Sequence, residues 1–182
     1  MSTFDVLDYD TIVGGDKFGN IFVLRLPEKV GEEVDNDPNG SRFWEIGNLN
    51  GAQYKLELVA HYFVGEAVTK VTKTSLTPGG SELILYTTIS GTIGALLPFS
   101  SREDVDVFSK LEMHLRQDNT PLCGRDHLAF RGYYNPVKSV VDGDLCEQYP
   151  TLDMDKQRKI AEDFVRTVQE VQKKIEDIRN AV

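Results

Sequence analysis

The stretch Tyr9–Leu26 reads YDTIVGGDKFGNIFVLRL and is typical of a β-hairpin. Two apolar runs, Tyr9–Val13 and Ile21–Leu26, flank a segment rich in Gly and Asp at residues 14–20. Gly and Asp are frequent turn residues, and a turn between two apolar runs fits this segment. The stretch therefore predicts two antiparallel strands joined by a turn.

Further strand signals continue from this hairpin to residue 99. The segments with strand character are Tyr54–Val64, Ala67–Leu76, Glu82–Ile89 and Thr92–Phe99. Ser90-Gly91 predicts a second hairpin, whereas the acidic segment Pro27–Arg42, with its Asn39-Gly40 turn, predicts a solvated loop. Six strands separated by Gly-containing turns are typical of propeller blades, and equally of any other antiparallel sheet.

The hydrophobic period changes after residue 99, where helical spacing begins. Val107, Leu111 and Leu115 follow one another at four-residue spacing. Ser100 with Glu103 matches a capping box, so we expect a helix over residues 100–117. Two shorter helices are predicted over Asp126–Tyr134 and Asp142–Tyr149.

The C-terminal segment carries one long apolar seam. Its members are Ile160, Phe164, Val168, Val171, Ile175 and Ile178. The seam fits one long helix or two shorter ones, and a second capping box, Thr167 with Glu170, favours a break near Arg166. The sequence thus predicts antiparallel strands over residues 1–99, followed by a helical part over residues 100–182.

Charge and cysteine content restrict the function. The 182 residues hold 20 Lys and Arg against 29 Asp and Glu, a formal net charge of −9. This balance disfavours autonomous binding to a phosphate backbone, which depends on Lys and Arg. The apolar stretches are far shorter than the roughly 20 residues that span a bilayer. Cys123 and Cys146 form neither a disulfide framework nor a zinc site, which favours a reducing, intracellular compartment.

Candidate catalytic residues lack the necessary spacing. His61, His114 and His127 do not pair with another His or Cys at metal-ligand spacing. Cys123 precedes His127 by four residues, but no recognisable hydrolase context surrounds this pair. Asp142-Gly143-Asp144 fits a cation loop or a helix start, and the carboxylates favour the helix start. The sequence predicts no enzyme, no cofactor and no metal.

One segment stands out as a candidate protein interface because it mixes aromatic and basic residues most densely. Its members are Arg125, His127, Phe130, Arg131, Tyr133 and Tyr134. Arg and Tyr are enriched in protein interfaces because each buries a large area and keeps a polar end. The other interpretation is a connector whose rings fill the seam between sheet and helices, and the sequence does not separate the two.

Several motifs resemble the C-terminal region of the splicing factor 3b subunit 3 family. They are Asp8–Thr11, Asp16–Ile21, Pro78–Glu82, Pro121–Leu128, Asp142–Gln148 and Lys173–Arg179. The wider family includes the large subunits of the damaged-DNA-binding complex and of the cleavage and polyadenylation specificity factor. The runs Leu122–Leu128 and Leu145–Gln148 are similar to the splicing branch of this family.

The resemblance implies that residues 1–99 are the last strands of a β-propeller and that residues 100–182 are a helical C-terminal domain. It implies a nuclear, non-enzymatic scaffold without cofactor, in the splicing factor 3b complex of the U2 snRNP, which recognises the intron branch point. The implied partners are a large helical-repeat subunit and small subunits, with RNA contacted indirectly at most. The alternative is an adaptor of the damaged-DNA-binding, ubiquitin-ligase type. Since six strands cannot close a propeller of four-stranded blades, we expect a fragment of a larger three-propeller protein, whose missing blades are a further partner.

Overall fold

A computed structural model of the chain describes residues 1–29, 56–118 and 123–180, together with Glu32 and Asn36. The solvated loop predicted over Pro27–Arg42 lies largely outside these residues, as does its Asn39-Gly40 turn. Among the described helices, none has the length and apolar character needed to cross a membrane.

The described strands form two antiparallel sheets. The first has the order β1-β2-β3-β4 and the second the order β5-β6-β7. The strands are β1 (Thr3–Val6), β2 (Thr11–Gly15), β3 (Asn20–Arg25), β4 (Glu57–Phe63), β5 (Val68–Thr74), β6 (Leu83–Thr88) and β7 (Ile93–Leu96). The six predicted strands are confirmed, mostly with slightly tighter bounds. The sequence did not predict β1, because its short alternation of apolar and polar residues lies in an acidic terminus.

The β2–β3 turn is fixed by one carboxylate. Asp16 Oδ1 accepts hydrogen bonds from the amides of Phe18 and Asn20, both at 2.9 Å. Asp16 Oδ2 accepts from the side-chain amide of Asn20 at 2.8 Å. Burial acts to raise the pKa of Asp16, but these hydrogen bonds outweigh it and the pKa is lowered. Gly19 has φ +96°, which explains the glycine at this position.

Side chains of β1 join the two sheets by binding the backbone of β5. The amide of Val71 donates to Thr3 Oγ1 at 3.2 Å, and the amide of Lys73 donates to Asp5 Oδ2 at 2.7 Å. Because β5 is the edge strand of its sheet, these bonds satisfy donors that would otherwise lack a partner. The core between the sheets contains Val13, Ile21, Val68 and Val71.

The helices follow the second sheet. They are α1 (Arg102–Asp118), α2 (His127–Arg131), α3 (Gly143–Cys146), α4 (Met154–Asp163) and α5 (Val168–Arg179), with a 3-10 turn at Tyr149–Thr151. Their buried core is separate from that between the sheets and contains Phe108, Leu111, Leu115, Leu145, Cys146, Tyr149, Ile160, Ala161, Val171 and Ile175.

Two helix predictions need correction. The capping box of Ser100 with Glu103 is wrong, because the hydroxyl that accepts from the Glu103 amide is that of Ser101, at 3.2 Å. The helix predicted over Asp126–Tyr134 ends early, at Arg131, where the Gly132 amide returns to the carbonyl of Leu128 at 2.9 Å.

The C-terminal seam is split into α4 and α5, as the capping box predicted. The amide of Glu170 donates to Thr167 Oγ1 at 3.3 Å, and the amide of Thr167 donates to Glu170 Oε2 at 2.7 Å. Asp142 is likewise a helix cap, since its Oδ1 accepts from the amide of Leu145 at 3.2 Å. The predicted helix over Asp142–Tyr149 is divided into α3 and the 3-10 turn.

A strained valine ends α4. The amide of Arg166 returns to the carbonyl of Ala161 at 3.0 Å, and the amide of Val165 returns to that of Glu162 at 2.9 Å. This pair of bonds is a Schellman motif, which places Val165 at φ +56° where helices usually have Gly. The Val165 side chain is 94% exposed, so burial of its methyl groups does little to offset the strain.

We expect Val165→Gly to stabilise the protein by about 1 kcal/mol, because it removes the strain of a β-branched residue in the left-handed region. Thermal unfolding should show a rise in Tm of about 2–4 °C. Val105→Gly, in the right-handed backbone of α1, is the matched control and should lower Tm. A lower Tm for Val165→Gly would contradict the assignment of strain.

Candidate functional site

A buried ion pair lies where α2 meets the end of β4. The guanidinium of Arg131 donates through Nε to Asp142 Oδ2 at 3.2 Å. Its Nη1 donates to the carbonyl oxygens of Phe63 and Val64 at 3.2 and 3.1 Å. The Asp142 side chain is 2% exposed and that of Arg131 is 20% exposed, so the pair is largely shielded from water. We call this contact region, Tyr62–Val64 with Arg131 and Asp142, the junction.

Asp142 also organises the neighbouring helices. Besides capping α3, it receives the side chain of His127 from α2, whose Nδ1 lies 3.7 Å from Oδ2. Its own amide donates to Glu112 Oε1 on α1 at 3.2 Å. Burial raises the pKa of Glu112, although the bond from the Asp142 amide opposes that rise. One residue thereby connects α1, α2 and α3 to the sheet.

Aromatic rings complete the surroundings of Arg131. The guanidinium carbon lies 4.9 Å from the ring centroid of Tyr62 and 5.3 Å from that of Phe130. Burial raises the pKa of Tyr62, and the charge of Asp142 adds to the rise, so this phenol stays protonated. The charged group of Arg131 thus binds only groups of its own chain among the described residues.

A second contact lies beside the junction and involves His61. The backbones of His61 and Lys138 exchange two hydrogen bonds, at 3.0 and 3.1 Å, which add a short bridge to the outer edge of β4. The ring of His61 is buried, and its Nε2 lies 3.2 Å from Asn20 Oδ1 on β3. Burial lowers the pKa of His61, so the imidazole is held neutral.

Aromatic side chains pack around Phe63 at the surface of the junction. The ring of Phe63 contacts those of Phe130, Tyr133 and Tyr134, with centroid distances of 5.6, 5.4 and 5.6 Å. Tyr133 and Tyr134 contact each other at 4.8 Å, and Phe18 lies 5.7 Å from Tyr134. The outer three rings are about half exposed: Phe18 54%, Tyr133 51% and Tyr134 50%.

A cation lies at each end of these exposed rings. The guanidinium carbon of Arg125 lies 4.9 Å from the centroid of Tyr133, and Lys17 Nζ lies 5.1 Å from that of Phe18. We call the sequence of neighbouring side chains, Lys17, Phe18, Tyr134, Tyr133 and Arg125, the aromatic row.

The structure places all six candidate interface residues in or beside the junction. Three of the side chains point inward and three are exposed to water. His127, Phe130 and Arg131 pack inward, as the connector interpretation expects. Arg125, Tyr133 and Tyr134 are exposed, and their use by a partner stays a prediction.

Sequence reasoning missed Asp142, Phe63 and Phe18 as members of this site, as well as Lys17 and Tyr62. Asp142 was recognised as a helix cap but not as the ion-pair partner of Arg131, which lies eleven residues away. Phe63 and Phe18 lie in a strand and a turn that carry no signal for a contact with residues 130–134. The aromatic character of both turn and helix was the one available hint.

The arrangement offers little for catalysis. Burial raises the pKa of the Cys146 thiol, which keeps it protonated and unreactive. Cys123 is exposed, and within the described part of the chain no three His, Cys, Asp or Glu side chains are grouped to hold a metal ion. The fold that carries the junction consists of antiparallel sheets against which helices pack.

Comparison with known protein families identifies the family of this chain. The model of the CPSF A subunit region matches residues 1–151, and the chain belongs to this family. The resemblance inferred from the motifs is thereby confirmed.

Individual relatives are named as splicing proteins. The chain is 60% identical over 181 residues to the probable splicing factor 3B subunit 3 of Dictyostelium discoideum, covering 99% of this chain and 14% of the relative. It is 55% identical to spliceosome-associated protein 130 A of Arabidopsis thaliana, covering 97% of this chain and 15% of the relative. It is 54% identical to splicing factor 3B subunit 3 of Danio rerio, covering 98% and 15%. The chain therefore spans about one-seventh of the length of these relatives.

Removing one member of the buried ion pair should be costly, because the other charge is left without compensation. We expect Arg131→Gln to lower the free energy of unfolding by about 3–5 kcal/mol. The double variant Arg131→Gln/Asp142→Asn should lose less than the two single variants added together, by about 1–3 kcal/mol. Urea unfolding of the four proteins measures this coupling.

Arg125→Gln is the control for the loss of an arginine in the same segment. Because Arg125 is exposed, its replacement should change stability by no more than about 0.5 kcal/mol. Additive losses at Arg131 and Asp142 would show that the two side chains are not energetically coupled.

Stability should also fall in mild acid because of His61. Its pKa in the folded protein is below the ordinary 6.5, so the unfolded chain binds more protons between the two values. The contribution of His61 is complete above pH 6.5 and is lost as the pH falls through the folded pKa. Glu112, whose raised pKa favours the folded state in acid, acts in the opposite direction in both proteins. From pH 7.5 to pH 5.5 the urea midpoint of the unaltered protein should therefore fall relative to that of His61→Asn.

Direct titration of the His61 imidazole by NMR checks the same point without a variant. A pKa at or above 6.5 would refute the burial argument. Asp5, Asp16 and Glu66 have lowered pKa values. Their carboxylates therefore affect stability only in more acid solution, below the range from pH 5.5 to pH 7.5.

Proposed function

We propose that this chain is a non-catalytic structural segment of a splicing factor 3b subunit and acts in the nucleus through protein–protein contacts. The observation that carries the proposal is the 60% identity to a probable splicing factor 3B subunit 3 across 99% of the chain. The relatives named above are splicing proteins, which favours this role over the adaptor of the damaged-DNA-binding type. Within the splicing factor 3b complex of the U2 snRNP, the segment would support branch-point recognition indirectly.

The two sheets support a propeller interpretation of residues 1–99. A propeller blade is a four-stranded antiparallel sheet, and β1–β4 has this order and count. The second sheet has three strands, and among the described residues no strand pairs with the outer edge of β7. We infer that a strand from elsewhere in the same protein completes this blade, since an open edge has unpaired amide and carbonyl groups that a further strand would satisfy.

Exposed apolar side chains support the same arrangement. Phe4 and Val6 on β1 are 65% and 56% exposed, while their neighbours Thr3 and Asp5 bind β5. Successive strand residues point to opposite faces, so Phe4 and Val6 face away from the second sheet. A preceding blade packed on this face would bury them, as the propeller interpretation requires.

Residues 100–182 form the second domain of this proposal. Their separate core and the buried ion pair at the junction hold the helices on β4 as a fixed platform. The partners are the other subunits of the complex, a large helical-repeat subunit and small subunits. The half-exposed Tyr133 and Tyr134, with Arg125, are the proposed contact residues.

The test is native purification of the tagged protein that carries this segment, followed by mass spectrometry. We expect splicing factor 3b subunits to co-purify in stoichiometric amounts. Phe4→Asp/Val6→Asp should reduce their recovery at least tenfold, because two charges would enter the proposed interface between blades.

Tyr9→Asp is the matched control, because Tyr9 is 96% exposed in the β1–β2 turn and its replacement should leave recovery unchanged. Recovery of ubiquitin-ligase components in place of splicing subunits would support the adaptor alternative and refute the proposal.

A further inference from the structure

The aromatic row presents hydrogen-bond donors and few free acceptors. The Tyr133 and Tyr134 hydroxyls have no hydrogen-bond partner among the described residues, and neither Lys17 nor Arg125 has an ion-pair partner there. Lys and Arg can only donate, and a phenol readily donates. The free polar ends of the row therefore call for a ligand that accepts hydrogen bonds.

The carboxylates beside the aromatic row already accept hydrogen bonds from groups of their own loops. Asp16 accepts the amides of Phe18 and Asn20 and the side chain of Asn20. Asp126 accepts the amide of Leu128 as the cap of α2. Both carboxylates are thus held by their own loops, which leaves the cations at the two ends available to an incoming group.

The rings are held in place before any ligand arrives. Tyr133 and Tyr134 lie nearly perpendicular, with an interplanar angle of 82°, and both pack on the buried ring of Phe63. Phe18 is tilted by 43° against Tyr134. The half-exposed rings present their free faces and edges to water at fixed angles, so binding against them would cost little conformational entropy.

Proline-rich segments have the complementary chemistry. Proline has a carbonyl acceptor and no amide donor, and an extended polyproline II segment leaves its carbonyls free of internal hydrogen bonds. Such segments dock into grooves lined by aromatic side chains. We propose that the aromatic row is a docking site for an extended proline-rich segment of another protein. This inference rests on the proposed function, in which the exposed part of the site contacts a partner.

The test uses a fluorescein-labelled decaproline peptide and the whole protein, with binding followed by fluorescence anisotropy. We expect saturable binding that weakens at least tenfold in Tyr134→Ala and about threefold in Lys17→Gln or Arg125→Gln. Tyr134→Phe retains the ring and removes the hydroxyl, so it should fold normally and weaken binding by a smaller factor than Tyr134→Ala. Lys159→Gln, an exposed lysine of α4, is the matched control and should bind as the unaltered protein does.

Three outcomes would overturn the inference: equal binding of a Gly-Ser peptide of the same length, full binding by Tyr134→Ala, or no binding by protein whose folding is verified by circular dichroism. Binding of decauridine RNA without binding of decaproline would also overturn it, in favour of a base-stacking surface. The co-purification experiment tests the proposed role in splicing independently of the peptide experiment. If only the peptide experiment fails, the proline-rich ligand is refuted and the proposed function is unaffected.

Discussion

The ion pair between Arg131 and Asp142 is the interaction on which the arrangement of sheet and helices depends. A buried carboxylate is tolerated only where a cation and hydrogen-bond donors replace the water it has lost. Arg131 is the cation, and its remaining donors reach the carbonyls of Phe63 and Val64 at the end of β4. Since the guanidinium satisfies acceptors from both parts of the chain, a shift of the helices against the sheet would leave charged groups buried and unpaired.

A similar constraint operates between the two sheets. Edge strands have free amide donors, and β1 supplies Thr3 and Asp5 as acceptors for β5. In the connection from β4 to β5, the carboxylate of Glu66 accepts from the hydroxyls of Thr88 and Thr92, next to the ends of β6 and β7, at 2.5 and 2.8 Å. These directed bonds fix the relative position of the sheets more specifically than apolar contact could.

The aromatic cluster has a packed inner part and a half-exposed outer part. Phe130 and Phe63 form its inner part, whereas Tyr133 and Tyr134 keep half of their surface in water. The connector interpretation therefore describes the inner residues of the segment, whereas the interface interpretation stays a prediction for the exposed ones. Because the inner rings hold the outer ones, the exposed surface is shaped by the same contacts that attach the helices.

Local pattern determined much of this protein, namely the strands before residue 97, the helices after residue 101, and the break at Thr167. Turn chemistry and capping act within a few residues, so the turn over residues 14–20 and the Thr167–Glu170 box could be inferred without a fold. The local signals failed where adjacent residues compete, as at Ser100 and Ser101, and where a strand is short and acidic, as in β1. The meeting of Arg131 with Phe63 and Asp142, and of Phe18 with Tyr134, was decided by tertiary structure alone. These pairs are distant in the chain or belong to different elements, and only the packing of α2 on β4 and the β2–β3 turn brings them within contact.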